Sequence, residues 1–420
     1  MAVRRFTVDW SLIGTAVLLS AFGVLMIYSA GVTDRPVRSI ARAYQMQTLW
    51  FALALVAAFA LSRASMRLIE WLTVPLYGLA IFLLVVVLLY GSGGGTAESV
   101  KGWITIGGRR LGQPSEFAKI AVVLMLARVL AHRRGTLKSM LELWKPIMVV
   151  LVPMVLILAQ PDLGTGIVFI GIFFSMLFWA DVPWMPLLLL ASPVLSLILA
   201  FDSRVWGAWL VLFFGLLLWY RPYIGEGIML GITNVGTGIL APILWDHMKP
   251  YQQARLRVFI DPTVDLRGAA YHVNQSRVAI GSGGWFGRGF TLGPQKRLAF
   301  LPEQHTDFIF AVVGEELGYR GVAIVLLLFL FLFLRVVKIA ERASDSFSSL
   351  VAFGLLACWF SHVIENVGMT LNLMPITGIP LPFFSYGGSF LLASWMAMGI
   401  LARISSDGRG GGGGAGQLRI

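Results

Sequence analysis

The chain has 420 residues, of which 57% are hydrophobic and only 13% charged, at a mean hydropathy of +0.80. A soluble core cannot hide that much apolar surface, so the bilayer is the expected solvent and a water-soluble nucleic-acid binder is excluded as the reading of the +12 charge. The apolar runs are continuous rather than alternating, which predicts spanning helices. The expected fold is therefore all-α, a polytopic helical membrane bundle. Cys358 is the only cysteine, so there is no intrachain disulfide and no cysteine-based metal site.

In chain order, apolar spans are expected near 10–30, 45–62, 68–90, 115–131, 145–159, 163–180, 185–201, 204–220, 226–245, 308–335, 348–370 and 383–402. That gives twelve, with ten as the rival count. The runs at 145–159 and 163–180 are parted only by QPDLG, as in a broken or re-entrant pair. The N-terminus MAVRRFTVDW leads into the first span without a small-residue cleavage site, which argues against a removed signal peptide. Arg4, Arg5, Arg63, Arg67, Arg133, Arg134, Lys138, Lys145, Arg335, Lys338 and Arg342 fall on one side, which the positive-inside rule makes cytoplasmic. Both termini are then inside, and 91–114, 246–307 and 371–382 outside. Arg35, Arg38 and Arg42 break the pattern and read as solvated loop charges or contacts to anionic lipid groups. The Gly-rich stretch from Ser405 to Ile420 is expected to be a disordered tail after a single domain over 1–404.

Four polar stretches share the expected outer side. In KGWITIGGRRLGQPSEFAK, Pro114 and Ser115 suit a helix start, and Glu116 and Lys119 share one face three residues apart. They read equally as a structural ion pair or as the polar wall of a substrate cavity. In QPDLGT, Asp162 either caps the next helix or lines a cavity. The long segment 246–307 carries Asp261, Asp265 and many cations, and a Gly-rich run, AIGSGGWFGRGF, that gives a weak phosphate-cradle signal. Glu303, His305 and Asp307 in LPEQHTDFIF read first as a polar cap and interface cluster, and second as metal ligands. Finally, Pro375, Pro380 and Pro382 exclude a continuous helix in NLMPITGIPLPFFSYGGS, so an irregular loop dips into the bilayer edge. Together these suit a substrate with an apolar tail and an anionic head, in transport or in catalysis.

The stretches WITIGGRRLGQPSEFAKIA, QPDLGTG, FIDPTVDLRGAAYHVNQSRVAIGSGGWFGRG, LPEQHTDFIFAVVGEELG and GIPLPFFSYGGS, in this order, resemble the SEDS family (shape, elongation, division and sporulation). Gln304 and His272 resemble its elongation branch more than its division branch. The resemblance implies a peptidoglycan glycosyltransferase of the bacterial inner membrane that polymerises lipid II, with its site on the extracytoplasmic side. It also implies a growing glycan strand, a class B penicillin-binding protein transpeptidase and other elongation-complex membrane proteins as partners. A divalent metal, Mg2+ or Mn2+, is implied in the same way, with no ligand set identified. Asp261 matches the family's essential aspartate, with Pro262 restricting its backbone to extended forms. Trp103, Glu116, Lys119 and Asp162 match residues the family needs, and Lys119 and Arg109 are candidate pyrophosphate partners. One departure is a pair of spans over 204–245 beyond the family's ten. The rival readings are a lipid II flippase, a scaffold for its transpeptidase, and a division-type paralogue.

Overall fold

A computed structural model describes residues 9–34, 38–93, 101–106, 109–133, 137, 139–261, 269–301 and 303–410. The first apolar run is α1 (Trp10–Gly31), begun by Asp9, whose carboxylate accepts the Leu12 amide at 3.2 Å. A single turn, α2 (Arg38–Ala41), leads to α3 (Ala43–Arg63) and α4 (Met66–Tyr90). Then comes a feature not expected from the sequence, an antiparallel hairpin of β1 (Ile104–Ile106) and β2 (Arg109–Gly112) that pairs Ile106 with Arg109. Pro114 opens α5 (Pro114–Ala131) at a position where its missing N–H costs nothing. A 3-10 turn at Met140–Leu143 leads to α6 (Trp144–Ala159), and α7 (Leu163–Trp179) and α8 (Trp184–Leu199) follow.

The expected extra pair is α9 (Ser203–Tyr220) and α10 (Ile224–His247). The long polar segment folds into α11 (Pro250–Ile260), α12 (Ala269–Gly283) and the short turn α13 (Pro294–Arg297). The chain ends with α14 (Ile309–Glu341), α15 (Ser346–Thr370) and α16 (Gly388–Gly410). All twelve apolar runs read from the sequence are therefore helical. Nine described helical stretches are long and apolar enough to cross a membrane, while α7 and α8 are apolar but shorter.

Three boundaries differ from expectation. The span at 308–335 is broken at Gly318, whose φ of 64° interrupts the helix. A Cβ there would press on the Gly287 amide and the Gly284 carbonyl, so a glycine is required by space as well as by backbone angle. The last span begins at Gly388 rather than 383, because residues 381–387 belong to the irregular loop. It also continues past Ser405 to Gly410, into the stretch expected to be a disordered tail. Arg403 pairs with Asp407 one turn on at 3.0 Å, and Ser405 and Arg409 both reach the buried Asp9 carboxylate. Arg335 joins them at 2.6 Å, so one carboxylate ties the ends of α1, α14 and α16. Residues 411–420 lie outside the described residues.

The helices α15 and α16 form the interior, with 72% and 78% of their central windows buried, against 6% for α9. In the interior α15 meets α5, α7 and α14, and α16 lies along α3. The α3–α16 approach is close because Gly399 faces the Ala58 backbone, where any Cβ would clash. Outside this core, α8, α9 and α10 form a side layer, whose own apolar centre includes Leu189, Phe213 and Leu230. Asn234 joins α10 to Ser192 of α8 at 2.8 Å, and Ser196 takes the Trp206 indole N–H at 2.8 Å.

Candidate functional site

The segment 371–387 is irregular yet buried at Ile376, Ile379, Leu381, Phe383, Phe384 and Ser385. Non-helical backbone at membrane depth needs protein partners, and side chains from three helices supply them. Asn366 of α15 donates to the Ile379 carbonyl at 2.7 Å and to the Asp307 carbonyl at 2.8 Å. Gln47 of α3 donates to the Ser385 carbonyl at 3.0 Å and accepts the Gly387 amide at 3.1 Å. Arg255 of α11 reaches the Ile376 carbonyl at 3.3 Å, and His362 of α15 reaches the Pro380 carbonyl at 3.1 Å. The loop is irregular, as the three prolines required, and these bonds hold it as a fixed cup.

Polar groups gather around that cup. Glu116 and Lys119 are buried and paired at 2.7 Å on the first turns of α5. Lys119 also meets His362 Nε2 at 2.7 Å and lies over the Phe390 ring. Asp162 caps α7, accepting the Thr165 amide at 3.0 Å and its hydroxyl at 2.8 Å, and it acts electrostatically on Glu116, Glu365 and Asp307. Glu365 is buried near Lys119. Asp307 sits just before α14. Burial, reinforced by Glu303 and opposed by Arg255, pushes its carboxyl up to about 7. Burial holds His272 and His305 below the usual histidine range.

Of the residues singled out from sequence, Glu116, Lys119 and Asp162 come together here. Trp103 lies at the edge, in a bridge with Ser92 whose amide donates to the Trp103 carbonyl at 3.0 Å. Arg109 begins β2, and its side chain is outside the described residues. Gly112, at the other end of that strand, is followed by Gln113, whose amide meets the Ser389 hydroxyl at 3.2 Å. Asp261 does not sit inside the cluster. It closes α11, its amide bonded to the Arg257 carbonyl at 2.8 Å and its side chain exposed. Arg255 on the same helix enters the cluster, which puts Asp261 about 9 Å further along the axis at 1.5 Å per residue. Pro262 and Asp265 lie outside the described residues.

Two readings of the 246–307 segment give way. The amides of Arg288 and Gly289 donate to the Glu315 and Glu316 carbonyls of α14 at 2.9 and 3.0 Å, so the glycine run is turned into the Gly318 break and cradles no phosphate with these amides. Lys296 is wholly buried against Glu316 at 2.5 Å and Ser29, and Arg297 pairs with Asp34 at 2.9 Å. These cations latch the segment to α1 and are committed to structure. Nor do Glu303, His305 and Asp307 assemble as ligands. No group of three or more His, Cys, Asp or Glu fit to hold a metal exists among the described residues.

His362, Glu365 and Asn366 were missed from sequence. The signal was present in SHVIENVG, where two ionisable groups interrupt an apolar span. A separate apolar groove of about 950 Å³ runs between α9 and α10, lined by Phe214, Gly231 and Ile239 among others, and shares no residue with the cluster.

Comparison with known proteins places these features in context. Residues 9–209 and 206–410 match the FtsW/RodA/SpoVE family, described as "Cell cycle protein", and the two stretches meet inside α9. The chain is 36% identical over 433 residues to peptidoglycan glycosyltransferase RodA of Treponema pallidum (strain Nichols), covering 95% of this chain and 97% of that one. It is 32% identical over 404 residues to a probable peptidoglycan glycosyltransferase FtsW of Trichlorobacter lovleyi, covering 95% and 93%. A solved structure, "Structural coordination of polymerization and crosslinking by a peptidoglycan synthase complex", matches at a TM-score of 0.70 and 26% identity over 96% of this chain and 99% of that one.

Proposed function

This chain belongs to the FtsW/RodA/SpoVE family, and from that premise we propose that it is a peptidoglycan glycosyltransferase that polymerises lipid II into glycan strands during cell elongation. The observation that carries the reading is the polar cluster of Glu116, Lys119, Asp162, Arg255 and Asp307 around the fixed cup, with Asp261 at the end of the helix that brings Arg255 in. Intramembrane charge of this density is costly and is kept for function.

In the proposed reaction an acceptor sugar hydroxyl attacks the anomeric carbon of the donor. The new C–O bond forms as the bond to the pyrophosphate oxygen breaks, and undecaprenyl pyrophosphate leaves. An α-linked donor giving a β-linked product means one inverting displacement. The hydroxyl is a poor nucleophile, so a carboxylate must take its proton, and Asp261 is the residue assigned to that step. Its exposed position at the end of α11 suits a base that meets a large incoming strand. Negative charge on the departing pyrophosphate calls for cations, for which Arg109, Lys119 and Arg255 are the candidates.

We place the protein as a multi-pass protein of the bacterial inner membrane with the cup facing outward, working beside a class B penicillin-binding protein and other elongation-complex membrane proteins. Purified protein given labelled lipid II in detergent tests the reading. Polymer on a gel is expected. A flippase or scaffold would leave the lipid II unjoined. Similarity to both RodA and FtsW relatives makes the elongation role a separate question, answered by whether depletion rounds the cells or blocks their division.

A further inference from the structure

Lys119 is the most confined cation in the molecule's polar cluster, at 2% exposure. An ammonium carries three N–H groups and no acceptor. Two acceptor atoms lie beside it, Glu116 Oε2 in an ion pair at 2.7 Å and His362 Nε2 at 2.7 Å. The contact with His362 is unusual, because a histidine beside a lysine is commonly a repelling neighbour.

The other ring nitrogen resolves the matter. His362 Nδ1 lies 3.1 Å from the Pro380 carbonyl, and a carbonyl can only accept. Nδ1 therefore holds the proton. Lys119 can only donate, so Nε2 must present its lone pair. Both partners demand the same neutral tautomer, and neither tolerates the other one. The ring is further held by stacking on Phe390, with centroids 4.8 Å apart and planes 28° from parallel, and Lys119 lies 5.4 Å over that same ring.

We propose that His362 is a positioning residue for Lys119: locked by the Pro380 carbonyl into the Nδ1–H tautomer, it accepts from the lysine ammonium and so ties the aim of that cation to the 371–387 cup. With Glu116 as its sole acceptor, the ammonium would be free to turn about its last carbon–nitrogen bond. A second acceptor on another helix restricts that freedom and holds one N–H toward His362. A displacement of Pro380 would be felt at Lys119 through one rigid ring. The ligand chemistry this serves is an anionic oxygen, such as that of a pyrophosphate, so the role in turnover rests on the glycosyltransferase reading, while the tautomer and the contact do not.

Two near-isosteric substitutions separate the halves of the ring. In His362→Gln the side-chain oxygen reaches the Nε2 position and can accept from Lys119. In His362→Asn the amide reaches only the Nδ1 position, keeping the Pro380 contact and losing the lysine. Purified full-length wild type, His362→Gln, His362→Asn and His362→Ala would be compared for lipid II polymerisation and for thermal midpoint in detergent. The expected result is that Asn and Ala lose roughly 10–100-fold in turnover, as for a lost hydrogen bond to a charged group, while Gln recovers most of it. Equal loss in Gln and Asn variants of unchanged midpoint, or wild-type rates in Ala, would overturn the proposal. In parallel, histidine-selective 15N spectra of the wild type should show one ring fixed as the Nδ1–H tautomer, whose Nε2 signal moves in Lys119→Met. An Nε2–H ring, or a signal indifferent to Lys119→Met, would overturn the contact even in protein that makes no polymer. Absence of polymer from wild type together with the expected spectra would instead remove the enzymatic reading and leave the positioning contact standing.

Discussion

At the scale of the residue, two carboxylates in different settings have different expected roles. Asp261 is exposed at the end of α11, and its proposed role is to accept the proton of the attacking hydroxyl. Asp261→Asn preserves size but cannot take that proton. Turnover should fall about 10²–10⁴-fold with the thermal midpoint unchanged, the usual effect of losing a general base. Near-normal polymer from the purified variant would remove Asp261 from that role. Asp307 is the opposite case, half-buried and held at about 7 by burial first and by Glu303 second, against an ordinary value of 3.8. Its folded form holds a proton that the unfolded form has released. Stability from this group is therefore full at low pH and declines as pH rises from near 4 through about 7. In Asp307→Asn that part of the decline should vanish, so the variant gains on wild type between about pH 5 and pH 8 in thermal melts. Parallel melting curves would mean that Asp307 titrates normally. The first of these residues was legible from its FIDP context. The second was visible only as one of three polar groups before a span, because its neighbours Asn366 and Gly378, and Arg255 which acts on it electrostatically, are distant in sequence.

At the scale of the element, apolar run length placed all twelve helices, since a helix in lipid is dictated by local composition. Breaks and irregular segments were less legible. Prolines announced the cup, but Gly318 sits inside an unbroken apolar pattern and its positive φ is imposed by the Gly284–Gly289 loop docked beside it. Gly318→Ala should cost the backbone strain of a side chain at positive φ, about 1–2 kcal/mol, plus the clash with Gly287. A fall in thermal midpoint is expected, and an unchanged midpoint would mean the loop can withdraw. The β-hairpin at 104–112 was missed because two strands this short carry almost no alternation. The side layer behaves differently from the core. Deleting 204–245 strands Ser192, Ser196 and the Ser139 and Met140 groups held by Glu226. It leaves α5, α7, α15 and the cup in place. Stability should drop by roughly 1–3 kcal/mol, while folded protein still makes polymer. A folded but inactive deletion would place the hairpin at the site.

At the scale of the whole molecule, the bundle's interior is built around an element that is not a helix. Three helices, α3, α11 and α15, use side-chain groups to satisfy the 371–387 backbone; α11 carries Arg255 among the charges proposed to act on substrate, and Lys119 of α5 is joined to the cup through His362. The cup and the charges therefore move together or not at all, which suits transfer between two large, lipid-linked substrates at a fixed point. Sequence gave the charges one by one. Their convergence depends on α15, whose His362, Glu365 and Asn366 look like isolated flaws in an apolar span until α5, α7 and the cup close around them. The most direct measurement is the stoichiometry of the reaction. Purified protein should release one undecaprenyl pyrophosphate for every disaccharide unit added to the strand, with inversion at the anomeric carbon, and Asp261→Asn should release almost none. Pyrophosphate-linked lipid that stays intact while lipid II crosses or binds the membrane would contradict the account.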